Sequence, residues 1–256
     1  MHLATYTKAD AGKMISHYER SIGERDHIDG SGEVYNLAPE FDGGPKERFK
    51  ALCKGLDIGA KTKPLADFVV TMPKGYEGDR DEFFRAVYEE LAERVGAENV
   101  VCAYVHADEP GAQPHMHFAF VPVVEVPVMT NSKEPWKGPK RAEKKNPAHK
   151  AGTQKTDSKG TKRWKRVQAT DKDGKPMTRR TAKASAMFTR EALRELHPEM
   201  EEALCKRLRV ERVGIALDAD DPKKPLSALP HDQYERVTSA VAEKQGEVDG
   251  REGDVK

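Results

Sequence analysis

The chain has 256 residues, of which 34% are charged and 37% are hydrophobic, and its formal net charge is +1. This length supports one sizeable hydrophobic core with little left for a second, and the polar composition leaves room for segments outside it. The sequence shows neither a secretory signal pattern nor an apolar stretch long enough to span a membrane, and its three scattered cysteines argue against a disulfide framework. We therefore expect a cytoplasmic protein that does not bind membranes.

The first part of the chain is polar and is interrupted by turn signals. A helix is predicted near residues 13–23, followed by the turn-forming Asp-Gly-Ser-Gly at 29–32 and a second loop at 39–44. Residues 67–72 read Asp-Phe-Val-Val-Thr-Met, which is rich in β-branched and aromatic types and is closed by a Pro-Lys-Gly turn. This pattern predicts a strand.

The clearest secondary-structure pattern lies between residues 79 and 124. Apolar side chains recur at helical spacing over 79–95, and Gly96 stands where a helix C-cap is expected. Two β-prone segments follow at 99–106 and 115–124, and strands joined by so short a polar loop form an antiparallel hairpin. The predicted fold class is therefore α/β, more narrowly α+β, with a mostly antiparallel sheet flanked by helices.

The composition changes near residue 130. Between residues 131 and 190 there are 19 Lys or Arg against 5 acidic residues, a bias typical of segments with anionic partners. Apolar periodicity returns over 189–208 and predicts a helix capped by Thr189 or Ser185. The predicted organisation is a catalytic core at 1–130, a basic and partly flexible insertion at 131–188, a helical part of the same domain at 189–238, and a charged, disordered tail at 239–256.

The sharpest chemical signal is a cluster of histidines. His115 and His117 are two positions apart on a predicted strand, so they face the same side, and His106 ends the strand that pairs with it. Three neutral imidazoles converging from a sheet make a metal site with open positions, as catalysis requires. Asp108 and Glu109 follow in the loop and can orient a ligand or act as a base. Single His-x-His pairs arise by chance, but this combination favours a metal site.

The pattern His-x-Asp-Glu at 106–109, a loop, and Pro-His-x-His at 114–117 resembles the signature of the MobV (Pre/Mob) family of plasmid mobilisation relaxases, or plasmid recombination enzymes. The loop is longer than is usual in that family. Members commonly continue into a long C-terminal region, so the resemblance implies that this chain carries the nuclease half. Further segments resemble the family in order, at 17–20 (His-Tyr-Glu-Arg), 33–37 (Glu-Val-Tyr-Asn-Leu), 67–71 and 181–196.

The resemblance implies a histidine-cluster relaxase-like nuclease domain and gives roles to the matched residues. The three histidines His106, His115 and His117 would ligate a divalent metal, Mn²⁺ or Mg²⁺. His17 would be the nucleophile that forms a covalent phosphoramidate with the DNA end, and Glu109 would be the carboxylate that activates it.

Two further matched residues would contact DNA. Arg20 would sit near the scissile phosphate, where its fork of donors can bind a non-bridging oxygen, and Asn36 matches a characteristic asparagine of the family. Tyr18 is an alternative nucleophile because many relaxases of other families use a tyrosine, and Tyr6 and Tyr35 are further candidates. Without the resemblance, a solvated helix face would explain residues 17 and 20 equally well.

The basic insertion contains the run Lys162, Arg163, Trp164, Lys165, Arg166. Cations suit the phosphate backbone, and a tryptophan can stack on an unpaired base. We therefore predict that Arg163, Trp164, Lys165 and Arg166 contact DNA. The competing interpretation is a solvated insertion whose charge is incidental.

These observations predict a metal-dependent relaxase that nicks and rejoins single-stranded DNA at a plasmid or mobile-element origin of transfer through a covalent protein–DNA intermediate. The expected partners are single-stranded or supercoiled origin DNA and accessory mobilisation proteins. One alternative is a rolling-circle replication initiator, against which the downstream segment at 181–196 argues. Another is a non-catalytic DNA-binding protein with a structural metal site. A metallohydrolase acting on a small molecule is the weakest interpretation, because it leaves the basic segment unexplained.

Overall fold

The computed structural model describes residues 1–21, 33–109, 112–136 and 161–215. The predicted turn at 29–32, the tail at 239–256 and a large part of the basic insertion lie outside the described residues. The chain divides into two compact units. The first comprises Met1–Lys54, Ile58–Val123 and the chain from Ala182 onward, and the second comprises Gly55–Asp57 and Val124–Thr181.

The secondary structure of the described residues contains nine strands and five α-helices. In chain order they are β1 (His2–Tyr6), α1 (Lys8–Tyr18), β2 (Val34–Asn36), α2 (Gly44–Cys53), β3 (Leu65–Thr71), α3 (Arg80–Val95), β4 (Val100–His106), β5 (His115–Phe120), β6 (Val123–Pro127), β7 (Met129–Pro135), β8 (Trp164–Gln168), β9 (Thr178–Ala182), α4 (Ala184–Met187) and α5 (Arg190–Leu208). Within these residues, no helix combines the length and apolar character needed to cross a bilayer.

Five strands of the first unit form one sheet in the order β1-β3-β5-β4-β2, and every neighbouring pair is antiparallel. The predicted α+β class with a mostly antiparallel sheet is confirmed. β5 occupies the centre of the sheet, with β4 on one side and β3 on the other. The side chains at the centre of each sheet face therefore come from strands β3, β4 and β5.

One face of this sheet forms the hydrophobic core. Because side chains alternate along a strand, Phe68 of β3 and Phe118 and Phe120 of β5 share this face, and all three are buried. Burying one such side chain contributes about 2 to 3 kcal/mol to folding. The helices that cover this face supply the apolar residues Phe83, Phe84, Val87 and Leu91 from α3, and Leu196, Met200 and Leu204 from α5.

The helix boundaries follow from side-chain caps. Asp79 accepts a hydrogen bond from the amide of Glu82 at 2.8 Å, and Gly96, at φ 82°, ends α3, so the prediction of 79–95 was accurate. Thr189 caps α5 in the same way, and Ser185 is not its cap. The prediction of the first helix near residues 13–23 was wrong at both ends, since α1 spans Lys8–Tyr18. It begins directly after β1, because Thr7 accepts from the amide of Asp10.

The second unit contains strands that the sequence pattern did not predict. β6 pairs with β9 and β7 pairs with β8, each as a separate two-stranded sheet. Between the two pairs, the amide of Ala169 donates to the carbonyl of Val128 at 2.7 Å, and the amide of Val128 donates to the carbonyl of Met177 at 3.0 Å. Strands β7, β8 and β9 carry mainly polar side chains and are largely exposed, so they lack the alternation from which strands are recognised.

Candidate metal centre and active site

The sheet register brings the three predicted ligand histidines together. His106 of β4 lies directly opposite His115 of β5, and His117 follows two positions later on the same face. The ring centroids of each pair are 5.1 to 5.3 Å apart. One ligand nitrogen from each of the three lies within 4.8 Å of the others, a spacing that can hold one metal ion.

The hydrogen bonds of these rings leave one nitrogen of each available to a metal. His117 directs Nδ1 at Asp67 Oδ2 (3.0 Å), His115 directs Nδ1 at the carbonyl of Gln113 (3.2 Å), and His106 directs Nε2 at the carbonyl of Tyr18 (2.8 Å). Each of these partners accepts, so the ring nitrogen facing it carries the proton. The opposite nitrogen of each ring then has a lone pair, and that of His106, Nδ1, is buried without a protein partner. Metal-binding histidines show this arrangement of outer hydrogen bonds.

The electrostatics of the cluster also suit a cation. Burial, and then the neighbouring imidazoles, lower the pKa of His106 to about 3, and burial and His115 lower that of His117 to about 3. Both rings are therefore neutral at physiological pH, which is the form that ligates a metal. An orphaned buried nitrogen and a set of neutral donors together show that the residues present fit a divalent cation.

Asp67 is a site residue that the sequence analysis missed. It is buried on β3, and its Oδ2 accepts hydrogen bonds from both His117 Nδ1 and the hydroxyl of Tyr18, each at 3.0 Å. Burial raises its pKa to about 7, while Tyr18 and the histidines nearby act in the opposite direction. An aspartate inside an otherwise apolar strand was the available signal, since an unpaired carboxylate is costly inside a sheet.

His17 lies beside the cluster. It stands in the last turn of α1, and its ring centroid is 5.3 Å from that of His117 and 5.9 Å from that of His106. The predicted nucleophile is thus placed next to the predicted metal ligands. Tyr18 is placed differently, because its side chain is fully buried, stacks on His117 and donates to Asp67. Burial and Asp67 raise the pKa of Tyr18 far above its usual value.

Arg20 ties the end of α1 to the loop after β4. Its guanidinium donates to both carboxylate oxygens of Asp108 (2.9 and 2.8 Å) and to Glu109 (2.7 Å). Arg20 adopts a left-handed backbone conformation with φ 54°, which is uncommon for a residue with a side chain. Arg20 holds the pKa of Glu109 below its ordinary value against the effect of burial. Glu109, the predicted activator of His17, is therefore ionised and engaged with the arginine.

The remaining predicted contact residues lie in two places. Asn36, at the end of β2, is half-buried, and its side-chain oxygen accepts from the amides of Ala38 (3.2 Å) and Ala103 (2.8 Å). Arg163, Trp164, Lys165 and Arg166 all belong to the second unit, at or next to β8.

Comparisons with known proteins concern the fold and the segment that carries the histidine cluster. The described residues contain an α+β domain with a five-stranded antiparallel sheet and a cluster of three histidines that could hold a metal ion. Residues 67–173, which include the histidine cluster, match the sequence profile of a family described as plasmid recombination enzyme, Mob_Pre. This match supports the resemblance to the MobV (Pre/Mob) family that the motifs indicated. A search of curated proteins found no match.

Solved structures of MobM relaxase domains share the fold. One, solved with Mn and bound to plasmid pMV158 oriT DNA carrying a 3′ thiophosphate, aligns with TM-score 0.56 and 16% identity over 92% of this chain and 96% of its own. Two others, also solved with Mn and pMV158 oriT DNA, align with TM-score 0.51, at 17% identity over 85% and 91% of the two chains and at 15% identity over 93% and 96%.

Proposed function

We propose that this chain is a metal-dependent relaxase that nicks and rejoins single-stranded DNA at an origin of transfer, with His17 as the nucleophile. The observation that carries the proposal is the position of the His17 ring, 5.3 and 5.9 Å from two of the three clustered histidines. A nucleophile and a cation site side by side are what phosphoryl transfer requires. The Mn and origin DNA bound by MobM domains of the same fold support the same reaction class.

Of the two candidates at the end of α1, the geometry favours His17 over Tyr18. The Tyr18 side chain is fully buried and its hydroxyl is held by Asp67, so a phosphate can reach it only if the helix moves. We assign Tyr18 a positioning role instead. Its carbonyl accepts from His106 and its hydroxyl fixes Asp67, which in turn holds His117.

In the proposed reaction, a neutral ring nitrogen of His17 attacks the scissile phosphorus. A phosphorus–nitrogen bond forms, the bond from phosphorus to the 3′ oxygen breaks, and the leaving oxygen takes a proton from solvent. The second ring nitrogen of His17 releases its proton, and we assign Glu109 as the acceptor. Attack of a 3′ hydroxyl on the phosphoramidate reverses these steps and rejoins the strand.

The charge that develops on the phosphate needs stabilisation. His106, His115 and His117 would hold the divalent cation, Mn²⁺ or Mg²⁺, which when bound supplies undiminished positive charge because all three ligands are neutral. Arg20 supplies a second positive charge, and Asp108 and Glu109 fix its orientation. We further propose that Asn36 and the run Arg163, Trp164, Lys165 and Arg166 contact the DNA.

The test compares the native chain with His17→Ala and Tyr18→Phe on supercoiled plasmid that carries the DNA upstream of the coding sequence, with Mn²⁺. We expect the native chain and Tyr18→Phe to give nicked DNA with protein attached to one end, and His17→Ala to give neither. If DNA stays attached to His17→Ala but not to Tyr18→Phe, Tyr18 is the nucleophile. Binding of DNA without nicking at any metal concentration would contradict the enzyme assignment.

A further inference from the structure

His2 lies on the same sheet face as the histidine cluster. It pairs with Val69 of β3, and Val69 pairs with His117 of β5, so these three side chains form a row across the sheet. Because neighbouring strands are about 4.8 Å apart, the Cα atom of His2 lies about 10 Å from that of His117. Burial raises the pKa of Asp67 to about 7, and the His2 imidazole is one of the side chains that oppose this rise. An imidazole on the cluster face has this effect.

The cluster face is open on the side of His2. Along β3, the residues on this face change from buried, at Leu65 and Asp67, to half-buried, at Val69 and Thr71. The buried end is covered by α1, whose Tyr18 donates a hydrogen bond to Asp67. The half-buried end is therefore the part of this strand that a ligand can reach.

The open part of the face continues to the edge of the sheet. β1 is an edge strand, and its first residue, His2, is exposed. At the other end, Thr71 pairs with His115, one of the clustered histidines. We call His2, Val69 and Thr71 the open strip. It leads from the cluster to the edge of the sheet, so a strand with its scissile phosphate at the cluster can continue across it.

The side chains of the open strip suit a nucleotide of that strand. Imidazole has an N–H donor whether it is neutral or charged, and the hydroxyl of Thr71 is a second donor, whereas the oxygens of a phosphodiester only accept. Val69 presents methyl groups, which can pack against a sugar or a base. Contacts to phosphate fix the register of a nucleic acid on a protein without reading its sequence.

We propose that the open strip holds the nucleotide next to the scissile phosphate, and that His2 donates a hydrogen bond to the phosphodiester of that nucleotide. The proposal deepens the proposed function, on which it rests for single-stranded DNA as the substrate. His2 is then a binding residue that sets where the strand lies relative to His17. It takes no part in the bonds that form and break.

The test measures fluorescence anisotropy of labelled single strands with the full chain and Mn²⁺. The parent protein is His17→Ala, so that the DNA stays intact, and it is compared with versions that also carry His2→Ala, His2→Arg or Thr5→Ala. Thr5 is the matched control, because it is half-buried on the same strand but pairs with Ala66 on the opposite face. In each oligonucleotide, one phosphodiester is replaced by an uncharged methylphosphonate. The oligonucleotides carry the nick site found in the plasmid assay or, if there is none, the strand upstream of the coding sequence that binds most tightly.

We expect His2→Ala to bind the unmodified strand about tenfold more weakly than the parent, the lower end for a hydrogen bond to a charged group. His2→Arg keeps a donor and Thr5→Ala changes the other face, so both should bind like the parent. One methylphosphonate, at a linkage next to the nick site, should weaken the parent and Thr5→Ala by a similar factor. It should leave His2→Ala unaffected, because that protein has already lost the contact.

Three outcomes would overturn the proposal. These are parent-like affinity in His2→Ala, equal sensitivity of His2→Ala and the parent at every linkage, and a His2-dependent linkage away from the nick site. Failure of the proposed function is separate, since the native chain would then not nick although its preferred strand could still show a His2-dependent linkage. A native chain that nicks without any such linkage would lose only the assignment of His2.

Discussion

Asp67 offers the sharpest test of how the candidate metal centre is organised. Its Oδ2 is the common acceptor of His117 and Tyr18, so it fixes which nitrogen of His117 would be left to bind a metal. Replacing it with asparagine keeps the size of the side chain and removes the charge. Changes to such outer partners cost about 10- to 100-fold in metal affinity, or about 1.4 to 2.7 kcal/mol. We expect Asp67→Asn to bind Mn²⁺ more weakly by a factor in that range.

The assay is calorimetric titration of the metal-free protein with Mn²⁺, together with urea unfolding without metal. Because burial raises the pKa of Asp67 to about 7, its ionised form costs folding free energy above that pH, and the neutral amide avoids this cost. Metal-free Asp67→Asn should therefore be at least as stable as the native chain above pH 7 while binding Mn²⁺ less tightly. Weaker Mn²⁺ binding without a loss of stability would show that Asp67 orients a metal ligand, whereas a loss of both would indicate a destabilised fold.

Two variants control this experiment. Tyr18→Phe removes one donor to Asp67 and keeps the carboxylate, so it should weaken Mn²⁺ binding less than Asp67→Asn. Asp81→Asn removes a negative charge from an exposed side chain that bonds Tyr35, and it should leave Mn²⁺ affinity unchanged. Native affinity in a folded Asp67→Asn protein would refute the reasoning, because His117 would then need no carboxylate to orient it.

Three other perturbations have outcomes that follow from the structure. Arg20→Met should destabilise the fold by about 3 to 5 kcal/mol in urea unfolding, because it leaves the buried carboxylate of Asp108 unpaired; unchanged stability would mean that water replaces the arginine. Lowering the pH from 7 to 5 should protonate His106 and His117 in the unfolded chain alone, which lowers the free energy of unfolding of the metal-free protein by about 2 kcal/mol for each. Over the same range Asp67 gains a proton in the folded state, which raises the free energy of unfolding by about 2 kcal/mol, so the net loss should be about 1 to 2 kcal/mol. Asp67→Asn lacks the group that gains a proton on folding, so the same change of pH should lower its free energy of unfolding by about 4 kcal/mol. Equal losses in both proteins would contradict these pKa shifts. Glu201→Gln should destabilise the chain by about 2 kcal/mol and speed hydrogen exchange of the amides at 213–215, which its carboxylate accepts at 2.6 to 3.0 Å; exchange at the native rate would show that the contact is dispensable.

The sequence by itself determined the helices and strands whose periodicity is strong, and the histidine triad. The spacing of His115 and His117 sets them on one face because side chains alternate along any strand, and the short loop after His106 required an antiparallel return. Apolar spacing and caps likewise specified α3 and α5. These signals are local, and they do not depend on what packs against them.

Only the tertiary structure decided the surroundings of that triad. Asp67 reaches His117 because β3 pairs with β5 in a register that no local pattern encodes. Adjacent residues at the end of α1 acquired opposite environments, with Tyr18 fully buried against Asp67 while the ring of His17 lies beside the cluster. The paired strands β7 and β8 gave no periodic signal, since nearly all of their side chains are exposed. Local spacing determines the sheet face on which a side chain lies. Strand pairing determines which residues it contacts, because neighbouring strands of a sheet come from distant parts of the chain.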